Sequence, residues 1–186
     1  MKKDLFTYVL RLSLTLLIIT AVVAAALAGV NAITAPVIAE LKAEKIQNAI
    51  AEVLPGATGI REVAFTDDSA VVQKVYMAGE DSPVQGYVAE VTPIGFGGSI
   101  TMMVGVRDGA VTGISLVSRA ETAGLGSVAA ETGAKGEAFR SQFVGMSGQL
   151  AVDKDGGQVD AITSATITSR AVTDGVNAAL AVVILD

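Results

Sequence analysis

Residues 100–118 read ITMMVGVRDGAVTGISLVS, and this stretch decides the fold class. Two segments rich in β-branched and apolar residues, 100–107 and 110–118, flank the dipeptide Asp108-Gly109. Aspartate and glycine both tolerate a positive φ, so this dipeptide is typical of a two-residue turn between antiparallel strands. We therefore predict a β-hairpin here and an antiparallel sheet as the framework of the domain.

Further strands are predicted on the N-terminal side of this hairpin. Residues 71–78 and 85–92 alternate between apolar and polar side chains, as half-buried strands do. The segment Gly95-Phe96-Gly97-Gly98 follows them and indicates a flexible or tightly turned backbone.

Helices are predicted mainly on the C-terminal side. Residues 137–144 favour a short helix, and Asp155-Gly156-Gly157 favours a turn. In residues 168–180 the apolar side chains recur at helical spacing, which predicts a final helix. The domain is therefore expected to be α+β, an antiparallel sheet with flanking helices.

The N-terminal part of the chain predicts a membrane anchor. Residues 12–39 carry no charged side chain, and a spanning helix needs only about 20 apolar residues. Lys2, Lys3 and Arg11 precede the run, which favours a cytoplasmic N-terminus by the positive-inside rule. We expect a single-pass protein of the inner (cytoplasmic) membrane, with its C-terminal domain on the extracytoplasmic side.

A cleaved signal peptide is the alternative, because Ala26-Leu27-Ala28 fits a signal-peptidase site. The apolar character continues beyond Ala28, which favours an uncleaved anchor. Pro36 is expected to break the helix. The predicted division is an N-terminus and transmembrane helix over 1–35, a juxtamembrane helix over 36–56 and a third domain over 57–186.

Composition excludes several classes of function. The net charge is −6, and the basic residues form no cluster after the first dozen positions, which argues against nucleic-acid binding. The chain has no cysteine and no histidine, so cysteine-ligated iron–sulfur clusters, the usual zinc sites and Ser-His-Asp catalysis are excluded. We expect no metal site and no catalytic residue, and any redox chemistry must come from an organic cofactor.

Five hydroxyl residues follow Asp160 in the sequence DAITSATITS of residues 160–169, around the start of the predicted last helix. The start of a helix offers unpaired N–H groups and a positive dipole end, both of which favour a phosphate. Serine and threonine also commonly cap helices, so the sequence alone leaves both interpretations open.

This segment resembles the flavinylation motif of the FMN-binding domain family, Asp-x-x-(Ser/Thr)-Gly-Ala-(Thr/Ser). Asp160, Thr163, Ala165 and Thr166 match it, while Ser164 stands in the place of glycine. In that family a flavin transferase joins FMN through its phosphate to the last hydroxyl residue. The resemblance implies a covalent FMN on Thr166, with Thr163, Ser164, Ala165 and Thr168 near its phosphate.

A second segment is similar to the same family. Residues 121–126 read Glu121-Thr122-Ala123-Gly124-Leu125-Gly126, close to the family's Glu-Thr-Pro-Gly-Leu-Gly loop beside the flavin. Ala123 replaces the proline, and Ala120 lies where a histidine is frequent. The resemblance implies that Glu121, Thr122, Gly124, Leu125 and Gly126 border the cofactor. Phe139 and the dipeptide Gln142-Phe143 resemble a short aromatic motif of this family.

Together with the anchor, the resemblance covers nearly the whole chain and extends to the G-subunit family of Rnf-type ferredoxin:NAD oxidoreductases. The C-subunit family of the sodium-translocating NADH:quinone reductases is related but typically longer. The resemblance implies an electron-transfer subunit of a complex coupled to Na⁺ or H⁺ translocation. Its expected partners are the other membrane subunits, the flavin transferase and the lipid bilayer.

Two alternatives remain at this point. The first is a free-standing flavinylated domain that transfers electrons to extracytoplasmic acceptors. The second is an anchored assembly module without cofactor, in which the hydroxyl residues only cap a helix. A hydrolase is disfavoured, because the chain has no histidine and no evident pair of carboxylates.

Overall fold

The computed structural model describes residues 2–67, 69–79, 86–119, 126–131 and 133–184, and only the backbone of residues 2–5, 7, 118 and 119. The chain divides after Glu44 into two compact units. The first is helical, formed by helix α1 (Lys2–Val53), which continues into the second unit. Among the described residues, α1 is the one helix that is long and apolar enough to cross a membrane, by length and composition.

The predicted helix break at Pro36 is wrong, because α1 continues through this residue. Proline lacks an N–H donor and crowds the preceding turn, which disfavours the interior of a helix in water. In a strongly apolar segment, however, leaving several backbone groups without partners costs more than one missing hydrogen bond. The helix therefore persists, and the division at residues 35 and 56 stays a prediction.

The second unit contains two sheets in its described part. Its strands, in chain order, are β1 (Arg61–Val63), β2 (Phe65–Thr66), β3 (Val72–Ala78), β4 (Gly86–Val91), β5 (Ile100–Arg107), β6 (Ala110–Arg119) and β7 (Val183–Ile184). Strands β1, β3, β4, β5 and β6 form one antiparallel sheet in that order, and β2 pairs with β7. The predicted α+β class is confirmed.

The β5–β6 hairpin matches its prediction closely. Arg107 pairs with Ala110, and the two turn residues Asp108 and Gly109 have φ of +52° and +74°. Both values are positive, as a tight turn that follows the twist of the strands requires. Strand β3 begins one residue later than predicted and β4 ends one residue earlier, while Gln85 lies outside the described residues.

In the described part of the second unit, the helices α2 (Ala134–Ser141) and α3 (Thr166–Leu180) flank the sheet, with 3₁₀ turns at Gly126–Ala130 and Asp153–Asp155. The short helix was predicted over 137–144, three residues too late. After Ser141 the backbone bonds skip only three residues, as in Val144 N–H to Ser141 O, so α2 ends there. The last helix begins at Thr166, two residues earlier than predicted.

Within the second unit, both faces of the large sheet are covered. On one face Val91 and Val104 belong to the same core as Val172 of α3. On the other face Met103 packs with Val53 at the end of α1. Strands β4 and β5 are therefore buried almost throughout, and their ends and the connecting segments are left to form a site.

Candidate functional site

The first turn of α3 lies at one end of the sheet. Near the C-terminal end of α3, the Tyr87 hydroxyl donates a hydrogen bond of 2.9 Å to the Ala179 carbonyl. One turn earlier, a Cβ added at Gly175 would come within 3.0 Å of Pro93 Cγ. Tyr87 lies at the start of β4 and Pro93 just beyond its end. Helix α3 therefore extends past β4, toward the end of the sheet where β6 leads to Gly126.

The start of α3 offers backbone donors. Ala165 is its N-cap residue and makes no side-chain cap hydrogen bond, so no hydroxyl side chain occupies the cap position. The first N–H groups of a helix have no partner within the helix. The hydroxyl of Ser169, four residues after the cap, accepts the Ile162 N–H at 3.0 Å and donates to the Ala165 carbonyl at 3.1 Å. This geometry suits an anion in front of Thr166.

The predicted motif residues differ in their exposure. Thr163 and Ser164 are exposed, and Thr166, the predicted attachment residue, is half-buried. Ala165 and Thr168 are buried. The structure thus brings the motif together as one turn, with its first two hydroxyl residues in solvent and Thr168 in the interior.

The backbone conformation at Ser164 gives a physical reason for the glycine that the family motif has at this position. Its φ is +64°, in the left-handed region that non-glycine residues rarely adopt. A turn of this kind is closed by the Ala165 N–H donating to Ile162 O at 2.9 Å. A side chain at such a position costs about 1–2 kcal/mol. The backbone at Ser164 is therefore strained, yet it keeps the conformation that glycine would adopt more easily.

We expect Ser164→Gly to stabilise the second unit by about 0.5 kcal/mol, because relief of strain exceeds the greater flexibility of unfolded glycine. The measurement is urea unfolding of the detergent-solubilised chain, followed by tyrosine fluorescence. Ser164→Ala is the matched control, since it removes the hydroxyl and keeps the Cβ. Equal stabilisation by both variants would contradict the interpretation that the Cβ of Ser164 strains the backbone.

Two side chains fix the backbone where the motif begins. The Gln142 amide accepts the Asp160 N–H at 2.8 Å and donates to the Asp160 carbonyl at 3.3 Å. Asp153 Oδ1 accepts the Ala161 N–H at 3.0 Å. This N–H holds the pKa of the Asp153 carboxyl below its usual value. The motif is therefore attached both to the end of α2 and to the 3₁₀ turn at Asp153.

A groove of about 500 Å³ lies between α2 and the motif. It is lined by Val128, Lys135, Ala138, Phe139, Gln142, Asp160, Ala161, Ile162 and Thr163. Its volume falls in the range of roughly 300–1,000 Å³ that is usual for ligand sites. Apolar side chains form much of its surface. Thr163, at the rim of the groove, precedes Thr166 by three residues in the chain.

The glycine-containing loop can be located only in part. Glu121, Thr122, Gly124 and Leu125 lie outside the described residues. Gly126 is buried and opens the 3₁₀ turn Gly126–Ala130, which lies against both α2 and α3. The chain that follows the predicted flavin-bordering loop therefore does reach the groove, through Val128.

The aromatic motif has a structural role in this site. Phe139 and Phe143 are buried, with ring centroids 5.5 Å apart and ring planes at 84°. Such edge-to-face pairs stabilise a core beyond the area that they bury. The pair flanks Gln142, the C-cap residue of α2, whose side chain hydrogen-bonds to Asp160.

Sequence reasoning missed three residues in or near this site. Asp153 carries no motif signal, because only tertiary structure brings it to Ala161. Arg170 donates two hydrogen bonds of 2.7 Å to Asp155 and holds the pKa of Asp155 below its usual value. Lys135 could have been found, since it shares helical spacing with Ala138, Phe139 and Gln142.

Comparison with known proteins identifies the family. Residues 95–181 match the model of the FMN-binding domain. The chain is 34% identical to the G subunit of the Na⁺-translocating ferredoxin:NAD⁺ oxidoreductase complex of Acetobacterium woodii, over 94% of this chain and 91% of the relative. It is 35% identical to the G subunit of the ion-translocating oxidoreductase complex of Methanosarcina acetivorans, over 89% of each. The chain belongs to this G-subunit family.

A further member of the G-subunit family, from Clostridium ljungdahlii, is 36% identical over 83% of this chain and 80% of the relative. Its name places it in a proton-translocating ferredoxin:NAD⁺ oxidoreductase complex. Membership in the G-subunit family, with the apolar helix α1, makes this a membrane-anchored protein that carries an FMN-binding domain.

The site fits FMN by its own chemistry. The matched region includes α2, α3 and the groove between α2 and the motif. The first turn of α3 supplies backbone donors for a phosphate, and the groove supplies apolar surface for a flat ring.

Proposed function

We propose that this protein is the electron-transfer flavoprotein subunit of an Rnf-type ferredoxin:NAD oxidoreductase in the membrane. Its FMN is joined by a phosphoester bond to Thr166, and a flavin transferase forms this bond. The observation that carries the proposal is the helix start at Thr166, with a cap residue that offers no side-chain acceptor, beside a groove of ligand size. Bound FMN supplies the ability to accept and release electrons.

The residues of this chain position the cofactor. The first turn of α3 would hold the phosphate, with Thr163 and Ser164 in the segment just before it. Gln142 and Asp153 keep the preceding backbone in place. The groove, with Phe139 in its wall, would shield one side of the ring from water. A fixed cofactor of this kind acts as a relay between partners, and the chain needs no substrate pocket of its own.

Assembly with other membrane subunits is supported by the names of the relatives. Two of these relatives are subunits of ferredoxin:NAD⁺ oxidoreductase complexes, one named as Na⁺-translocating and one as proton-translocating. We infer that the complex couples electron transfer to translocation of Na⁺ or H⁺. Lys2, Lys3 and Arg11 before the apolar run support a cytoplasmic N-terminus and an extracytoplasmic FMN domain.

The test is purification of the tagged chain from its own membranes in a mild detergent. We expect several membrane proteins to co-purify, and the chain itself to fluoresce as a flavoprotein in a denaturing gel. Flavin fluorescence without partners would instead favour a free-standing flavinylated electron carrier. Partners without flavin would favour the assembly module.

A further inference from the structure

One face of α2 forms a continuous wall of the groove. Four residues at the spacing i, i+3, i+4 and i+7 form this wall: Lys135, Ala138 and Phe139 in α2, and Gln142 as its C-cap residue. Seven residues of α-helix span about 10 Å. Gln142 is tied to Asp160 at one end of the wall, so Lys135 lies at the other end, on the side of Val128.

Lys135 is the cationic side chain among the described residues that line the groove. The ion pairs found in the described part of the chain do not include it. Arg140, the other cation of α2, is engaged elsewhere, since its Nη1 donates to the carbonyls of Ala129 and Glu131 at 2.8 and 2.9 Å. The charge of Lys135 is therefore available to a ligand in the groove.

The phosphate and the ring of FMN place different demands on the site. The backbone N–H groups in the first turn of α3 would bind the phosphate, on the side of the groove where the motif lies. Reduction of a flavin ring adds negative charge to the ring itself. A cation held beside the ring therefore favours the reduced form over the oxidised form.

We propose that Lys135 contacts the flavin ring in this groove and raises its reduction potential. The proposal rests on FMN being bound as proposed above. Lys135 acts as a positioning and electrostatic residue and takes up no electrons itself; in a titration, the electrons come from the added reductant. Since the side chain is exposed at the rim, salt should weaken its effect.

The test is a reductive titration of the full-length flavinylated protein in detergent, with intact mass measured on the same samples. We expect Lys135→Gln to keep the flavin mass and to weaken the reduced form about tenfold relative to the oxidised form, a fall of ~30 mV for a two-electron couple. Lys135→Arg should restore most of the potential. The difference between wild type and Lys135→Gln should shrink at high salt.

Lys74→Gln is the matched control, because Lys74 lies on β3, pairs with Glu62 and does not line the groove. It should leave the potential at the wild-type value. An unchanged potential in flavinylated Lys135→Gln would overturn the proposal. Loss of the flavin itself in this variant would also overturn it, since Lys135 would then serve attachment. A wild type without flavin would instead contradict the proposed function.

Discussion

A Thr166→Ala variant is expected to carry no covalent flavin, so the ~438 Da that FMN minus water adds at a hydroxyl should be absent from its intact mass. Alanine has no oxygen with which to form the ester. Flavin fluorescence in a denaturing gel should vanish with it. The fold should survive, because Thr166 is the half-buried first residue of α3 and alanine favours helices.

Two further variants make this result specific. Thr166→Ser keeps a hydroxyl at the same atom position and should retain the flavin. Thr163→Ala removes an exposed hydroxyl at the rim of the groove and should also retain the mass. If Thr166→Ala kept the full mass and Thr163→Ala lost it, the ester would be at Thr163. If the wild type had no added mass, the covalent proposal itself would fail.

The framework of the second unit could be predicted because its signals are local. Asp108-Gly109 allows a turn with two positive φ values, and the segments on both sides are rich in β-branched and apolar residues, as strands are. The ends of the helices and strands were harder to predict from the sequence. At Pro36 the local preference for a break was overridden by the need of an apolar segment to satisfy its own backbone. The short strands β2 and β7 escaped prediction, because their partners are distant in sequence.

For the candidate site, the sequence predicted an attachment segment, which stays a prediction, and the structure gives a physical reason for one feature of its pattern. The positive φ at Ser164 shows why glycine is usual in the motif, which no periodicity could reveal. Asp153 and Gln142 act through tertiary contacts to residues 160 and 161, so only the folded chain identifies them as supports. The residues of Glu121 to Leu125 remain predictions from resemblance.

Replacing Phe143 by alanine is expected to cost the largest share of stability of the variants considered. Phe143 is fully buried and packs edge-to-face on Phe139. Truncating a buried phenylalanine to alanine costs about 3–5 kcal/mol, through lost burial and the cavity left behind. Domains of this kind are stable by only about 5–15 kcal/mol in total. The variant should therefore approach the limit of folding.

Urea unfolding in detergent measures this effect, and the chain provides its own probe. It has three tyrosines and no tryptophan, and Tyr76 and Tyr87 lie on β3 and β4, so tyrosine fluorescence reports on the sheet. Val144→Ala is the matched control: the neighbouring side chain is 55% exposed, and its truncation should change the free energy of unfolding by less than about 0.5 kcal/mol.

The same substitution should weaken the site, because Phe143 adjoins Gln142 in the chain and supports the groove wall through Phe139. We expect Phe143→Ala to be flavinylated to a lower fraction than Val144→Ala at a temperature where both remain folded. Phe143→Leu, which refills much of the volume, should recover most of the stability and of the flavin fraction. An Ala variant as stable as the wild type would show that this aromatic pair does not hold α2 in place.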